Sequence, residues 1–313
     1  MKKLRSYILV SILIVFIFLI LILKYWPDKY THIIFCDVGQ GDAILITSGF
    51  TQVLIDAGLG EEASQCLGDY MPFWDKQLEL VLITHADSDH IGGFPKISEN
   101  YQIKKIFLPQ VGDRSSVFKD LKKSVLKEKA HLEWVGVANF GHKIVISDGV
   151  VAQILWPILN SRSKSGIHLA WTKQESEKVL EDIFVSLEKR EKEDIDKNNG
   201  SVVLLLSVGK IEFLLTGDLE VSGEQSLLSK GLIKGAHILK AGHHGSKTSS
   251  SDAFIERIQP EKVVISSGKN NSYGHPSPEV LERFEEIGVE ILRTDELGSI
   301  ELISDGESYW LAK

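Results

Sequence analysis

Apolar and polar positions divide the chain unevenly. From Tyr7 to Leu23 the sequence reads YILVSILIVFIFLILIL, uncharged, with Ser11 its one aliphatic hydroxyl. With Ser6, Lys24, Tyr25 and Trp26 it is about the length a membrane-crossing helix needs, roughly 20 residues. From Thr31 onward the apolar runs are short. Thr31–Phe35, Ala43–Thr47 and Gln52–Ile55 are β-branched or apolar and divided by Gly-rich turns, which predicts a β-meander. Leu80–Thr84 and Ile103–Leu108 read as strands and Val117–Lys129 as a helix. Lys143–Ser147 and Val150–Trp156 resume the strands up to Pro157. Val202–Val208 and Lys210–Thr216 predict a hairpin around Gly209. Helices are then expected at Gly223–Ser229, Ser251–Ile258 and Ser277–Ile287, with strands at Ile238–Lys240 and Val263–Ser266. Strands, helices, strands, helices is the order of two β-rich halves layered with helices outside.

Lys173–Lys197 stands apart, dense in charge, with Leu180, Ile183, Phe184 and Leu187 at helical spacing. It fits a surface helix packed by a narrow stripe better than a mobile lid.

Composition adds limits. With 43% hydrophobic and 25% charged residues the chain is an ordinary globular protein. The formal net charge is −8, yet the first 29 residues are basic: Lys2, Lys3, Arg5, Lys24 and Lys29 against Asp28. The remainder is therefore strongly acidic, which excludes nucleic-acid affinity from bulk charge alone. Lys2, Lys3 and Arg5 ahead of the apolar run predict a single-pass anchor with a cytoplasmic N-terminus and residues 30–313 outside the cytoplasm. A cleaved signal peptide is the alternative, but the run is long for one and no A-x-A-like site follows. Two cysteines exclude a disulfide framework. Cys36 and Cys66 could pair outside the cytoplasm, although Cys36 within an apolar strand reads more simply as a buried free thiol.

The chemistry lies at strand ends. Thr84-His85-Ala86-Asp87-Ser88-Asp89-His90-Ile91-Gly92-Gly93 places two His and two Asp directly after an apolar strand. Packed together, these groups repel and lose solvation unless a cation compensates. Asp218 follows the strand ending at Thr216, and His243-His244 follow the strand ending at Lys240. Each cluster is weak alone, but three at successive strand ends imply one loop-built rim with a two-metal hydrolytic site.

At this point the sequence resembles a known family. HADSDHIGG is similar to the HxHxDH signature of the metallo-β-lactamase superfamily, with Asp87 where the second His normally stands. FCDVGQGDAILI (35–46), VLIDAG (53–58), NNGSVVLLL (198–206), FLLTGDLE (213–220), LKAGHHGSKTSSS (239–251) and SSGKNNSYGHP (266–276) resemble the extracytoplasmic domain of ComEC-type DNA-uptake proteins. They cover residues 31–300 in the family's order; the polytopic channel region is absent, and 158–197 looks longer than the usual connection.

The resemblance implies an α/β fold, a four-layer αββα sandwich, here preceded by one transmembrane helix (about 7–26). It implies two divalent ions, Mn²⁺ or Zn²⁺ with Mg²⁺ open, that activate a water against a phosphodiester, most plainly DNA. By motif, His85 and Asp87 correspond to ligands of the first metal, Asp89 and His90 to ligands of the second, and Asp218 to the bridging carboxylate. His244 corresponds to the last ligand, with His243 touching substrate or supporting the ligands, and these two are exchangeable. The family's third histidine is missing; Asn199 could offer an amide oxygen instead. Such an oxygen-rich first site suits Mn²⁺ or Mg²⁺ better than an all-His one.

In the implied mechanism Asp89 orients the water and His275 protonates the leaving group, unless His275 merely caps the following helix. Lys240, Ser246, Lys247, Thr248, Asn199 and Asn271 are candidate substrate contacts. Asp37 and Asp56 are candidate acceptors for ligand imidazoles, whereas Asp42 reads as a turn residue. The alternatives to a nuclease are a hydrolase of cell-surface phosphodiesters such as phosphorylcholine groups, or of other esters or amides, and a surface-anchored binding protein with a degenerate metal site.

Overall fold

A computed structural model describes residues 2–24, 26–128, 131–158, 170–172, 174, 177–190 and 196–312. Helix α1 (Lys2–Lys24) precedes the meander β1 (Thr31–Phe35), β2 (Ile44–Ser48) and β3 (Thr51–Ile55). Helix α2 (Glu62–Tyr70), β4 (Gln77–Leu78) and β5 (Leu80–Leu82) follow, then α3 (Ser88–Ile91), α4 (Phe94–Asn100), β6 (Gln102–Ile103), β7 (Lys105–Leu108), α5 (Ser116–Glu128) and β8 (Trp134–Val137). The hairpin β9 (Lys143–Ser147) and β10 (Val150–Trp156), then β11 (Ala170–Thr172) and α6 (Glu177–Arg190), lead to β12 (Val203–Val208) and β13 (Ile211–Leu215). Alternating elements close the chain: α7 (Val221–Ser229), β14 (Ile238–Lys240), α8 (Asp252–Ile258), β15 (Lys262–Ile265), α9 (Pro278–Glu286), β16 (Glu290–Arg293), α10 (Thr294–Leu297), β17 (Ile300–Ser304) and β18 (Tyr309–Leu311).

Two sheets face each other. One runs β11-β8-β7-β5-β3-β2-β1-β17-β18, the other β16-β15-β14-β13-β12-β10-β9, and β4 pairs with β6 apart from both. Side chains alternate across each strand, and the burial follows that period. Ile33, Phe35, Ile44, Ile46, Val53 and Ile55 meet Phe213, Leu215, Ile238 and Val264 between the sheets. The intervening Ile34, Leu45 and Leu54 face Leu67, Ile97, Phe118 and Phe184 from the outer helices. On the far side Leu214, Leu239 and Val263 pack under Leu227, Phe254 and Phe284. Three apolar layers between four layers of structure make an αββα sandwich.

The stripe Leu180, Ile183, Phe184 and Leu187 is buried against this core, so α6 is a packed surface helix. The rest of the expected insertion, 159–169, 173, 175–176 and 191–195, lies outside the described residues.

Two expectations change. Cys36 and Cys66 form a disulfide, with Cα atoms 5.9 Å apart. The free thiol was the wrong reading, because the partner sits on α2, a helix too polar to be predicted from its pattern. The N-terminal helix ends at Lys24 rather than near 26, and its described side chains Tyr7–Ile20 are all exposed. Among the described residues no helix is long and apolar enough to cross a membrane.

Candidate metal centre

In both sheets the strands nearest the middle run parallel: β3 with β5, and β13 with β14 and β15. Their carboxyl ends meet at one edge, and each is followed by a polar turn. Asp56 follows β3, the His85–His90 turn follows β5, Asp218 follows β13, and His243-His244 follow β14. The loop between β1 and β2 closes over this edge. A Cβ on Gly41 (φ +129°) would collide with the Asp89 carbonyl oxygen, so a side chain there would push the loop off the turn.

Asp218 lies at the centre and is buried. Its carboxylate oxygens are 3.3 Å from His90 Nε2, 3.5 Å from His244 Nε2, 3.6 Å from His85 Nε2 and 3.9 Å from His243 Nε2. Asp89 is 3.3 Å from His244 Nε2, and Asp87 is 3.8 Å from His85 Nε2. One ligand atom each from Asp89, His90, Asp218 and His244 falls within 4.8 Å of all the others. His85 Nε2, His90 Nε2, His244 Nε2 and Asp218 Oδ1 are buried without a hydrogen-bond partner. Four such atoms facing one point are costly unless a cation meets them, so this donor set fits a divalent metal.

The imidazoles are held from behind. Asp56 Oδ2 accepts from His90 Nδ1 at 2.8 Å and from the Thr84 hydroxyl at 2.6 Å, and its Oδ1 accepts from the Thr84 N–H. The Ser266 carbonyl accepts from His244 Nδ1 at 3.0 Å. These contacts fix which ring nitrogen faces the centre.

Charge is shared accordingly. Burial pushes the Asp218 carboxyl up, but His244 and His90 outweigh it and hold it well below the usual range. Burial lowers His244, but Asp218 and Asp89 raise it to about 9. Burial together with His90 keeps His85 well below the ordinary imidazole value. A divalent cation held by these residues would take the place of the shared protons.

The candidate residues separate under this geometry. His85, Asp87, Asp89, His90, Asp218, His243 and His244 are brought together, and Asp56 stands behind His90. His275 lines the same cavity of about 290 Å³, with Asp87, Asp89, Asp218, His243 and Tyr273. Burial, then His243 and His244, lower its pKa.

Other expectations are corrected. Asp37 is exposed and accepts from the Gly39 N–H, so it supports no imidazole. Asp42, read as a turn residue, is instead buried at the centre's back and paired with Lys240, 3.7 Å from His244 Nδ1 and 4.0 Å from His90 Nδ1. Lys240 cannot reach a substrate: it is fully buried, paired with Asp42 and donating to the Gly217 carbonyl at 2.9 Å. Asn199 offers no oxygen to a metal, because Oδ1 accepts from the N–H groups of Glu220 and Gly223 at the start of α7. Asn271 spends its amide folding its own loop onto Gly268, Tyr273 and His275. Ser246 is buried against Thr248, whose hydroxyl donates to Glu220 Oε1, and Lys247 is exposed.

Sequence reasoning missed Asp42, Glu220 and Tyr273. For Asp42 the signal was available: a second Asp seven residues past the β1 end, at the same strand edge as Asp56.

Comparison with known proteins agrees with the fold. The family model described as Metallo-beta-lactamase superfamily matches residues 36–269. ComE operon protein 3 of Bacillus subtilis is 30% identical over 85% of this chain and 32% of its own length. Competence protein ComA of Neisseria gonorrhoeae is 27% identical over 88% of this chain and 32% of its own. The chain thus spans about a third of the length of these curated relatives. Among solved structures, the metallo-beta-lactamase fold protein YhfI of Bacillus subtilis superposes with TM-score 0.54 at 11% identity, covering 88% of this chain and all of that one.

Proposed function

Because the chain belongs to the metallo-β-lactamase superfamily, we propose that it is a metal-dependent phosphodiesterase acting on DNA outside the cytoplasm. The observation that carries the hydrolytic reading is the convergence of the unpartnered atoms of His85, His90, His244 and Asp218 beside an open cavity. Asp89, His90, Asp218 and His244 would hold one divalent ion, leaving His85 and Asp87 beside Asp218 as the remaining donors for a second. When bound, such ions polarise a phosphoryl oxygen and make water a nucleophile near neutral pH.

The protein's own groups do the rest. Asp89 is partly exposed in the cavity wall and orients the attacking water. His275 stands across the cavity, where it can protonate the leaving oxygen. Tyr273, 71% exposed, stacks on the His275 ring with centroids 5.9 Å apart at 23°. A flat ring at the mouth of a phosphodiester site suits a nucleobase, since stacking tolerates any base, and it favours a nucleic acid over a phosphorylcholine group. Relatives named for competence and recombination support the same choice. The acidic surface confines recognition to this local site.

The location rests on the uncharged run Tyr7–Leu23 behind Lys2, Lys3 and Arg5, and on the Cys36–Cys66 bridge, which suits an oxidising compartment.

The test uses the full chain in detergent, purified without chelator. Cleavage of single- and double-stranded DNA and of bis-p-nitrophenyl phosphate is measured with Mn²⁺, Zn²⁺ or Mg²⁺, alongside an Asp89→Ala, His90→Ala double variant. Metal-dependent DNA cleavage lost in the variant is the expected result. Turnover of the small ester alone moves the substrate to cell-surface phosphodiesters, and no turnover with any ion overturns the enzymatic reading in favour of a binding protein.

A further inference from the structure

The strands that meet the metal centre at one end carry a second polar row at the other. His32 on β1, Thr47 on β2 and Gln52 on β3 are register partners, and Glu301 on β17 pairs with Ile34 two residues further along β1. Strand alternation turns these side chains to the face on which Ile34, Leu45 and Leu54 are buried in the helix-side core. The helix cover stops here, because α2 ends at Tyr70. A cavity of about 220 Å³ opens between the polar row, Tyr70 and Pro72, and Trp26, Asp28 and Tyr30 from the approach to β1.

Its walls have three properties. Gln52 is only 1% exposed, yet neither its Oε1 nor its Nε2 has a hydrogen-bond partner. A buried amide left unpaired is costly, and a group seated in the cavity beside it can supply both partners. Asp28 and Glu301 flank His32, 3.1 and 2.6 Å from its two ring nitrogens. One imidazole, even protonated, does not neutralise two carboxylates, so the cavity favours a cation. Finally, two of the aromatic walls are braced in place: Trp26 meets Phe50 edge-on with centroids 5.4 Å apart, and Tyr30 meets Trp310 likewise at 5.2 Å. Aromatic faces attract ammonium groups, and the Tyr30 ring already draws the exposed Lys29 ammonium to 5.2 Å.

We propose that this cavity binds a small primary ammonium ion with an oxygen on the neighbouring carbon, the chemistry of an amino alcohol, either free or as the head group of a lipid. The ammonium would donate to Glu301 and to Gln52 Oε1, the oxygen would accept from Gln52 Nε2, and the carbons would lie against the rings. The other ligand classes fit less well. An anion meets two carboxylates, an apolar molecule leaves the amide unpaired, and a quaternary ammonium has no N–H for Oε1. The site lies at the opposite end of β1, β2 and β3 from Asp56 and does not depend on the metal-centre reading.

The experiment uses the full chain in a maltoside detergent. Calorimetry measures the binding of ethanolamine, of ethylamine, which lacks the oxygen, and of choline, which lacks the N–H groups. The wild type is compared with Gln52→Leu, Glu301→Gln and, as a control at the metal centre, Asp89→Ala. Urea unfolding of the ligand-free proteins checks folding. Gln52→Leu removes only unpaired polar atoms there, so its midpoint should be kept or raised.

Ethanolamine should bind saturably and most tightly of the three. Gln52→Leu and Glu301→Gln should each weaken it by at least about tenfold, and Asp89→Ala should leave it unchanged. Retention of phosphatidylethanolamine over phosphatidylglycerol in mixed micelles, lost in the same two variants, would identify the lipid head group as the source; amine binding without that retention would identify the free amine. Equal affinity for all three amines, or ethanolamine binding untouched by Gln52→Leu, overturns the amino-alcohol assignment. No saturable binding to the folded wild type overturns the site. So does a clearly destabilised ligand-free Gln52→Leu protein, which would mean that water already satisfies the amide.

Discussion

The two halves of the sandwich bring their polar groups to the shared edge by different routes. The first half delivers His85, Asp87, Asp89 and His90 in one turn after β5, so their spacing is a property of a few consecutive residues. It is also stitched covalently, α2 to the end of β1, by Cys36–Cys66. The second half delivers Asp218 from one strand and His243 and His244 from the next, so their meeting depends on the parallel register of β13 and β14. Hydrogen bonds stitch it: Glu224 accepts from the Ser250 and Ser251 N–H groups and from the Ser251 hydroxyl. Local sequence therefore builds one side of the centre, and tertiary structure builds the other.

The sharpest break falls on the residue both halves share. Asp218→Ala should lower kcat/KM by at least about 1000-fold, about 4 kcal/mol of transition-state stabilisation, with metal content falling in parallel. A loss under tenfold would mean that the halves work independently.

Next is the buried tie between them. Lys240 on β14 pairs with Asp42 from the first half, and Lys240→Met leaves that carboxylate buried and unpaired. Unfolding in urea should show a loss of about 3–5 kcal/mol, partly recovered when Asp42→Asn is added. An additive double variant would deny the coupling.

The covalent stitch should cost less and stay local. Cys36→Ser with Cys66→Ser opens a bridge across a separation of 30 residues, for an expected loss of about 2–4 kcal/mol in urea, with the metal affinities of the folded protein kept. A collapse of metal binding would show instead that the bridge shapes the centre.

The smallest effect is a pH dependence. His32 on β1 contacts Glu301 on β17 at 2.6 Å and Asp28 at 3.1 Å. Burial lowers its pKa, but both carboxylates outweigh this and leave it raised above 6.5. Its contribution is therefore complete below pH 6.5 and lost as pH climbs through the raised value. At a partly exposed pair it amounts to under about 1 kcal/mol. A His32→Gln variant should flatten that slope in urea titrations between pH 6 and 9, and an unchanged slope would remove His32 as its source.

Legibility in the sequence follows the same division. Thr31–Phe35, Lys143–Ser147, Val150–Trp156 and Ile238–Lys240 were read at their observed bounds, because continuous or alternating apolar residues report burial directly. The HADSDH turn was equally plain, since nothing structural asks for so many ligands in one place. What failed depends on partners distant in the chain. α2 buries only Ala63, Cys66 and Leu67, too few to show a period, and with it went the disulfide. Lys240 looked like a substrate contact at a strand end, and Asp42 like a turn former between glycines; each is explained only by the other. β17 went unread although it alternates, for its partner β1 lies at the opposite end of the chain, as the 269-residue separation of His32 and Glu301 records.

That pairing has a consequence for how the domain travels. β17 returns to lie beside β1, and the rings of Tyr30 and Trp310 touch, with centroids 5.2 Å apart. Entry and exit of the polypeptide are therefore neighbours, along a sheet remote in register from the strand ends that carry Asp218. A unit wired this way is a cassette: it can be spliced into a host protein, or its ends joined and its chain reopened at a surface turn, without rerouting any strand through the catalytic edge.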